Sequence, residues 1–401
     1  MKKASEAVVK KYQRYVMDNY VRTPLVITKG KGSRVWDAEG KQYLDLFPGW
    51  GVSGLGHNHR WVMRALRGQS MRLAHVANNY YHPTQAKAAE ALIKRSFDGK
   101  VFFCNSGAEA VETAIKIARK WGKGRPEIIV MERAFHGRTM GALSATQARY
   151  QEGFEPVVPG FVRVPFGDLA AVKAALTPDT VAVLAEPIQG EGGINVPDKS
   201  FLTGLRKLCD EKNLLLMFDE VQTGMGRTGE WFAFQHFGVT PDVMMLAKAL
   251  GGGFPVGAVV AGPKAAAVLT PGTHATTFGG SGLASACVLA VIEAIEKEKL
   301  LARVKLLSGR AFRRLEKLKA ESSIIREIRG VGFMIGIELS VDGRPIVEAA
   351  RRRGLLVNCT QGTVIRMLPA LTITRLELDR AITILSDVMK EHADTRQAAK
   401  Q

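Results

Sequence analysis

The middle of this 401-residue chain alternates short apolar runs with helix-period segments, and that alternation limits the fold more than any other feature. The runs are Val101–Phe103, Ile128–Met131, Val181–Ala185, Leu214–Phe218 and Val243–Ala247. Between them lie amphipathic stretches. Val111, Ala114, Ile115 and Ala118 fall on one helix face, and Phe201, Leu202, Leu205 and Leu208 on another. This order predicts a doubly wound α/β domain with a mainly parallel sheet.

The last hundred residues read as a smaller α+β domain. A long helix is expected from about Ala284 to Leu318, then a strand in Gly332–Leu339 and a helix near Ile346–Arg353. Short strands follow near Leu355 and Val364, with a final helix near Leu378–Lys390 and a polar, fraying tail after about Glu391. The first fifty-odd residues combine a helix with strand-like Arg34–Trp36 and Gln42–Leu46. The expected division is a segment 1–55 that joins the small domain, a large domain 56–295 and a C-terminal small domain 296–401.

Composition narrows the setting. No run of about 18 apolar residues is present, so no membrane span is expected. The basic N-terminus lacks the apolar core of a secretory signal. The four cysteines, Cys104, Cys209, Cys287 and Cys359, are scattered without a CxxC pair. A disulfide framework or a metal site is not expected, and a reducing, cytoplasmic compartment is. The formal charge of +18 would attract polyanions, yet no basic motif is interleaved with aromatics. A solvated basic surface explains it better than specific nucleic-acid binding.

In open α/β sheets, ligands bind beyond the carboxyl ends of the strands. Three apolar runs end in chemically capable residues: Glu186, Asp219–Glu220 and Lys248. A single charge there marks only where solvent begins. Three together, one a lysine beside Ala249, Leu250 and Gly251, point to a site. Asn105-Ser106-Gly107-Ala108-Glu109 follows the first run and opens a helix, with Ser106 and Glu109 at capping-box spacing. Free amides at such a helix start bind phosphate well. Gly224-Met225-Gly226-Arg227-Thr228-Gly229 matches a loose dinucleotide pattern. No helix is expected right after it and Asp242 comes too early, so a nicotinamide site is rejected. His57 and His59 have metal-like spacing but no third ligand nearby.

A phosphate cradle, an acid at one strand end and a lysine at another are what pyridoxal 5'-phosphate requires of a protein. The lysine makes a Schiff base, and the acid keeps the pyridine nitrogen protonated.

Taken together, five motifs resemble the class III aminotransferases of fold type I, over about Val21 to Met389. They are Asn105-Ser106-Gly107-Ala108-Glu109-Ala110, Phe135-His136-Gly137-Arg138-Thr139, Glu186-Pro187-Ile188-Gln189-Gly190-Glu191-Gly192-Gly193, Phe218-Asp219-Glu220-Val221-Gln222-Thr223-Gly224 and Lys248-Ala249-Leu250-Gly251-Gly252-Gly253. The resemblance implies that Lys248 carries the cofactor and that Asp219 pairs with the pyridine nitrogen. It puts Gln222 near the ring hydroxyl and Phe135 on the ring, with His136 among the cofactor contacts. Ser106, Gly107 and Ala108 would hold the phosphate. Thr277 would reach the phosphate of a neighbouring subunit, which implies a homodimer. Glu186 would lie near the cofactor or support its loop.

For substrates, the resemblance implies that Arg138 holds the carboxylate remote from the reacting amine and that Arg366 holds the α-carboxylate of glutamate or 2-oxoglutarate. Either arginine could instead belong to a structural ion pair. Glu191 would mask Arg366 when no α-carboxylate is present. Trp50, near the substrate entrance, fits an acylated nitrogen. The likeness is strongest to the branch that uses N2-acetylornithine and 2-oxoglutarate. Ornithine, succinylornithine and 4-aminobutyrate remain alternatives, and glutamate-1-semialdehyde aminomutase chemistry and a basic nucleic-acid-binding protein stand behind them. At the His57 motif the family's proline is replaced by Arg60, which affects local loop geometry.

Overall fold

The apolar runs become the strands of a central sheet in the computed structural model, which describes residues 3–398. In chain order, the first three strands are β1 (Ile27–Lys31), β2 (Arg34–Asp37) and β3 (Gln42–Asp45). The central strands are β4 (Lys100–Cys104), β5 (Glu127–Met131), β6 (Phe161–Val164), β7 (Thr180–Ala185), β8 (Leu215–Asp219), β9 (Val243–Leu246) and β10 (Gly257–Ala261). The last are β11 (Ile325–Val331), β12 (Met334–Leu339), β13 (Leu355–Leu356), β14 (Asn358–Thr360) and β15 (Val364–Met367).

The central sheet has the order β4-β10-β9-β8-β7-β5-β6. β10 runs antiparallel to both its neighbours, and the remaining pairings are parallel. The middle strands are buried along their whole length, as expected of a sheet covered on both faces. Parallel β7, β8 and β9 bring Glu186, Asp219 and Lys248 to the same sheet edge.

The helices that matter most here are α1 (Gly107–Trp121), α2 (Gly282–Lys297), α3 (Leu300–Ala320) and α4 (Arg375–Ala398). The expected continuous helix over Ala284–Leu318 is broken into α2 and α3. Lys299 takes a left-handed φ of 51°, which no helix interior accommodates. At the C-terminus, helix continues past Glu391 to Ala398, where a fraying tail was expected.

β1, β2 and β3 form an antiparallel meander, and β13 adds to β3 in parallel. The N-terminal strands thus share a sheet with a strand from the far end of the chain. A third sheet, β11-β12-β15-β14, is antiparallel. It carries Arg366 on β15. Cys104, Cys209 and Cys287 are buried and Cys359 is half-buried, all as free thiols.

Candidate active site

Lys248 follows β9 after one residue, Ala247, and starts a single 3₁₀ turn, Lys248–Gly251. Its φ of 47° is left-handed, a conformation that costs a non-glycine residue roughly 1–2 kcal/mol and that clusters at functional sites. The side chain lines a cavity of about 470 Å³ at the carboxyl edge of the central sheet. Ser106, Gly107, Ala108, Phe135, His136, Arg138, Glu186, Glu191, Asp219 and Gln222 line the same cavity. Ten residues expected at the site from sequence therefore meet Lys248 in one place.

The phosphate cradle forms where β4 ends and α1 begins. Ser106 is the N-cap of α1 and its Oγ accepts from the Glu109 amide at 3.2 Å. The Ala110 amide donates to the Ser106 carbonyl. Glu109 reaches back one residue further than a standard capping box, accepting from the Asn105 amide. The amides of Gly107 and Ala108 are the two at this helix start without a protein acceptor among the described residues. A Cβ on Gly107 would meet Val221 Cγ1 at 3.0 Å, so the approach there is close.

Asp219 ends β8 and is buried. His136 Nδ1 lies 2.7 Å from its Oδ2, and the Val221 amide donates to its Oδ1 at 3.0 Å. His136 is itself held by a 2.9 Å bond from its amide to Thr146 Oγ1. Its Nε2 is buried and has no partner among the described residues. Glu186 accepts from the Phe135 amide at 3.1 Å and the Gly190 amide at 2.8 Å. Burial pushes its carboxyl up to about 7; the His136 charge opposes this and the Asp219 charge adds to it. Glu186 thus braces the two loops that carry Phe135 and Glu191.

Burial lowers the Lys248 amine from its usual range. The Glu191 carboxylate opposes this, and the Arg366 charge reinforces it. A neutral amine is the form that attacks a carbonyl carbon.

Arg366 is fully buried on β15. Its Nη1 lies 2.7 Å from Glu191 Oε1 and 3.3 Å from Gln222 Oε1. Asn358 Oδ1 accepts from Nε at 3.1 Å and from Nη2 at 2.8 Å. Phe47 lies under the guanidinium at 4.8 Å. Burial alone would raise the Glu191 carboxyl, but the Arg366 charge and hydrogen bond hold it below its usual range.

Arg138 is the opposite case. It is exposed, lies 3.9 Å from the centroid of the Tyr150 ring and 5.5 Å from that of Phe135, and meets no carboxylate among the described residues. Arg138 on the cavity wall is therefore open, whereas Arg366, buried against the lining residues Glu191 and Gln222, is masked.

Three expected site residues are not on the cavity wall: Trp50, Thr277 and Arg366, the last bonded to the lining residues Glu191 and Gln222. Trp50 is half exposed, with a left-handed φ of 55°, and packs edge-on against Phe47 at 5.8 Å. It is not among the residues lining the cavity. Thr277 is exposed and lines a separate concavity of about 1020 Å³ with Tyr81, His82 and Thr276. His57 and His59 are engaged with different carboxylates, Asp45 at 2.8 Å and Glu298 at 3.5 Å. The Gly224–Gly229 loop is a run of turns around buried Arg227, with no helix opening from it.

Tyr150, Asn358 and Phe47 were not singled out from sequence. The only trace of Asn358 is one amide in the apolar run Leu355-Leu356-Val357-Asn358-Cys359. Tyr150 and Phe47 look like ordinary aromatics until the chain folds.

The residues present fit pyridoxal 5'-phosphate. Two free amides suit a phosphate, an ordered buried carboxylate suits a protonated ring nitrogen, and a deprotonation-prone lysine suits the aldehyde. The cavity volume falls in the range of about 300–1,000 Å³ typical of small-molecule sites.

Comparison with known proteins agrees with this chemistry. Residues 15–389 match the family model for aminotransferase class-III. A curated acetylornithine aminotransferase of Methanocaldococcus jannaschii is 48% identical over 387 residues, covering 94% of this chain and 97% of that protein. Among solved structures, the ornithine aminotransferase of Toxoplasma gondii superposes with a TM-score of 0.93 at 35% identity, covering 98% of this chain and 96% of that one. The acetylornithine aminotransferase of Elizabethkingia anophelis gives a TM-score of 0.88 at 36% identity, covering 96% and 99%.

Proposed function

Because this chain belongs to the class III aminotransferases, which are pyridoxal 5'-phosphate enzymes of fold type I, we propose that it moves the δ-amino group of N2-acetylornithine to 2-oxoglutarate. The products are N-acetylglutamate 5-semialdehyde and glutamate.

The observation that carries this reading is the contrast between Arg138 and Arg366. An acylated ornithine presents a single carboxylate, far from the reacting amine, and needs only the open arginine, Arg138. 2-Oxoglutarate has two carboxylates and needs Arg366 as well. Glu191, paired with Arg366 at 2.7 Å, gives the site a way to serve both. Bidentate pairing makes arginine the apt residue in each place.

When bound, pyridoxal 5'-phosphate supplies a carbonyl carbon that takes up the amine and a ring that accepts electrons. The chain's own residues do the rest. Lys248 anchors the cofactor and then moves a proton at the amine-bearing carbon, a role suited to its lowered basicity. Asp219 keeps the proton on the ring nitrogen, and His136 orders the Asp219 carboxylate. Ser106, Gly107 and Ala108 hold the phosphate, Phe135 covers the ring and Gln222 serves the ring hydroxyl. Glu186 supports the Phe135 and Gly190 loops.

The reading extends to a homodimer in which Thr277 reaches the partner's phosphate; its exposure away from its own cavity supports this. Four free thiols support a cytoplasmic setting. The reading keeps the division into 1–55, 56–295 and 296–401; the grouping of the strands into three sheets supports it, and the pairing of β13 with β3 supports joining the N-terminal segment to the small domain.

A second reading takes free ornithine as donor. It is favoured by the position of Trp50, because the aromatic expected to select an acylated nitrogen does not line the cavity. An amine-donor panel with 2-oxoglutarate, read as glutamate formed, separates the two. Turnover of acetylornithine above ornithine is expected; strong turnover of ornithine with none of acetylornithine overturns the proposal.

A further inference from the structure

Asn358 and Arg366 are directly opposed in the antiparallel register of β14 and β15, so their side chains stand on one face of the hairpin. The Asn358 amide oxygen grips the guanidinium along its Nε–Nη2 edge, at 3.1 and 2.8 Å. The guanidinium cannot rotate without losing both bonds. Its Nη1 therefore stays aimed at Glu191 and Gln222.

The tip of the same hairpin acts on the other member of the pair. Thr360 Oγ1 and Gln361 Nε2 both donate to the Glu191 carbonyl, each at 2.6 Å. Gln361 reaches it from a left-handed φ of 52°, which side chains other than glycine rarely adopt. Two residues on, Arg329 donates to the Gly193 carbonyl at 3.0 and 2.8 Å. The backbone around Glu191 is tied at two points, while its carboxylate hangs on one bond to Arg366. Release of Arg366 then needs a side-chain rotation and no loop movement.

We infer that the β14–β15 hairpin sets the balance between the two half-reactions, with Asn358 and Gln361 as positioning residues for opposite members of the Glu191–Arg366 pair. Asn358 presents Arg366 to the acceptor's α-carboxylate. Gln361 returns Glu191 to its masking position for a donor that has no α-carboxylate to offer there. This rests on the assignment of Arg366 as the α-carboxylate receptor.

The test uses holoenzyme and follows the cofactor absorbance in each half-reaction separately, first with amine donor alone and then, on the aminated enzyme freed of donor, with 2-oxoglutarate alone. Asn358→Ala is expected to lower kcat/KM for 2-oxoglutarate about tenfold, the loss expected for hydrogen bonds that order a charged group, and to leave the donor half-reaction within about twofold. Gln361→Gly keeps a backbone suited to φ 52°, so folding is preserved. It is expected to lower the donor half-reaction about fivefold with the 2-oxoglutarate half-reaction unchanged or faster, on the same scale for a lost hydrogen bond. A purely structural role moves both halves together. Equal losses in both halves, or no change in either variant, overturn the inference. The donor is whichever amine the wild-type panel ranks first, so failure of the substrate assignment shows in the wild type and failure of the hairpin's role shows in the variants.

Discussion

The Glu191 carboxylate lies 2.7 Å from Nη1 of Arg366, and the Arg366 side chain it neutralises is fully buried. A buried charge with its partner removed is unstable, and a ligand carboxylate is the natural replacement. Glu191→Gln keeps the volume and removes the charge. Kd for glutamate is expected to fall about tenfold, in line with about 1.4 kcal/mol of pairing energy gained by the ligand, while the acetylornithine half-reaction slows. Titration of the cofactor spectrum with glutamate measures this; unchanged affinity for glutamate contradicts it.

Arg138 rests on Tyr150 at 3.9 Å. Cation–π support at an exposed site is worth about 0.5–1 kcal/mol, so Tyr150→Ala should raise KM for acetylornithine about threefold, whereas Tyr150→Phe keeps the ring and stays near wild type. Arg138→Lys gives up the planar fork and should raise KM about tenfold or more. Steady-state kinetics on the three variants checks the order; Tyr150→Phe behaving like Tyr150→Ala would show that the ring face is not what matters.

A Cβ on Gly257 would stand 2.3 Å from the Ser106 carbonyl oxygen. The clash is with backbone, so no rotamer relieves it. Gly257→Ala should push Ser106 and the start of α1 out of place, weakening cofactor binding by about tenfold and lowering Tm by several degrees, the scale of a 1–3 kcal/mol overpacking cost. Dialysis against cofactor-free buffer followed by retitration measures the first, and thermal unfolding the second. Wild-type values in both would mean that β10 can slide away from the cradle.

Glu186 gives a pH signature. An ordinary carboxyl titrates near 4.5, and burial pushes this one up to about 7. Between those values the unfolded chain has released the proton and the folded protein still holds it. The folded state binds more protons, so its stability falls as pH rises from about 4.5 to about 7 and levels off above. The slope is at most about 1.4 kcal/mol per pH unit. Glu186→Gln cannot ionise, so its Tm relative to wild type should climb across that window. A difference that stays constant with pH rejects the assignment.

The strands that carry chemistry were legible because their information is local. An apolar run followed by Glu186, Asp219 or Lys248 is written in consecutive residues, and parallel pairing turns three such ends into one edge. The break at Lys299 was not legible, because apolar periodicity continues across it from α2 into α3. The reversed direction of β10 was equally hidden, since Gly257–Ala261 is as apolar as the parallel strands of the same sheet. Asn358 escaped for a different reason. Its meaning lies in the cross-strand register with Arg366, and register is set by pairing between segments, which no single stretch of sequence displays. Trp50 was placed near the substrate entrance by resemblance alone; it packs on Phe47, two residues before Val52 of the cavity wall, without lining the cavity itself.

The central claim is that Lys248 holds the cofactor, and borohydride reduction of the holoenzyme followed by peptide mapping tests it most directly. Reduction fixes the covalent link, and the pyridoxyl group is expected on Lys248 alone, with Lys248→Ala acquiring no label and losing turnover. A label on any other lysine, or full labelling of the Lys248→Ala protein, would contradict the account.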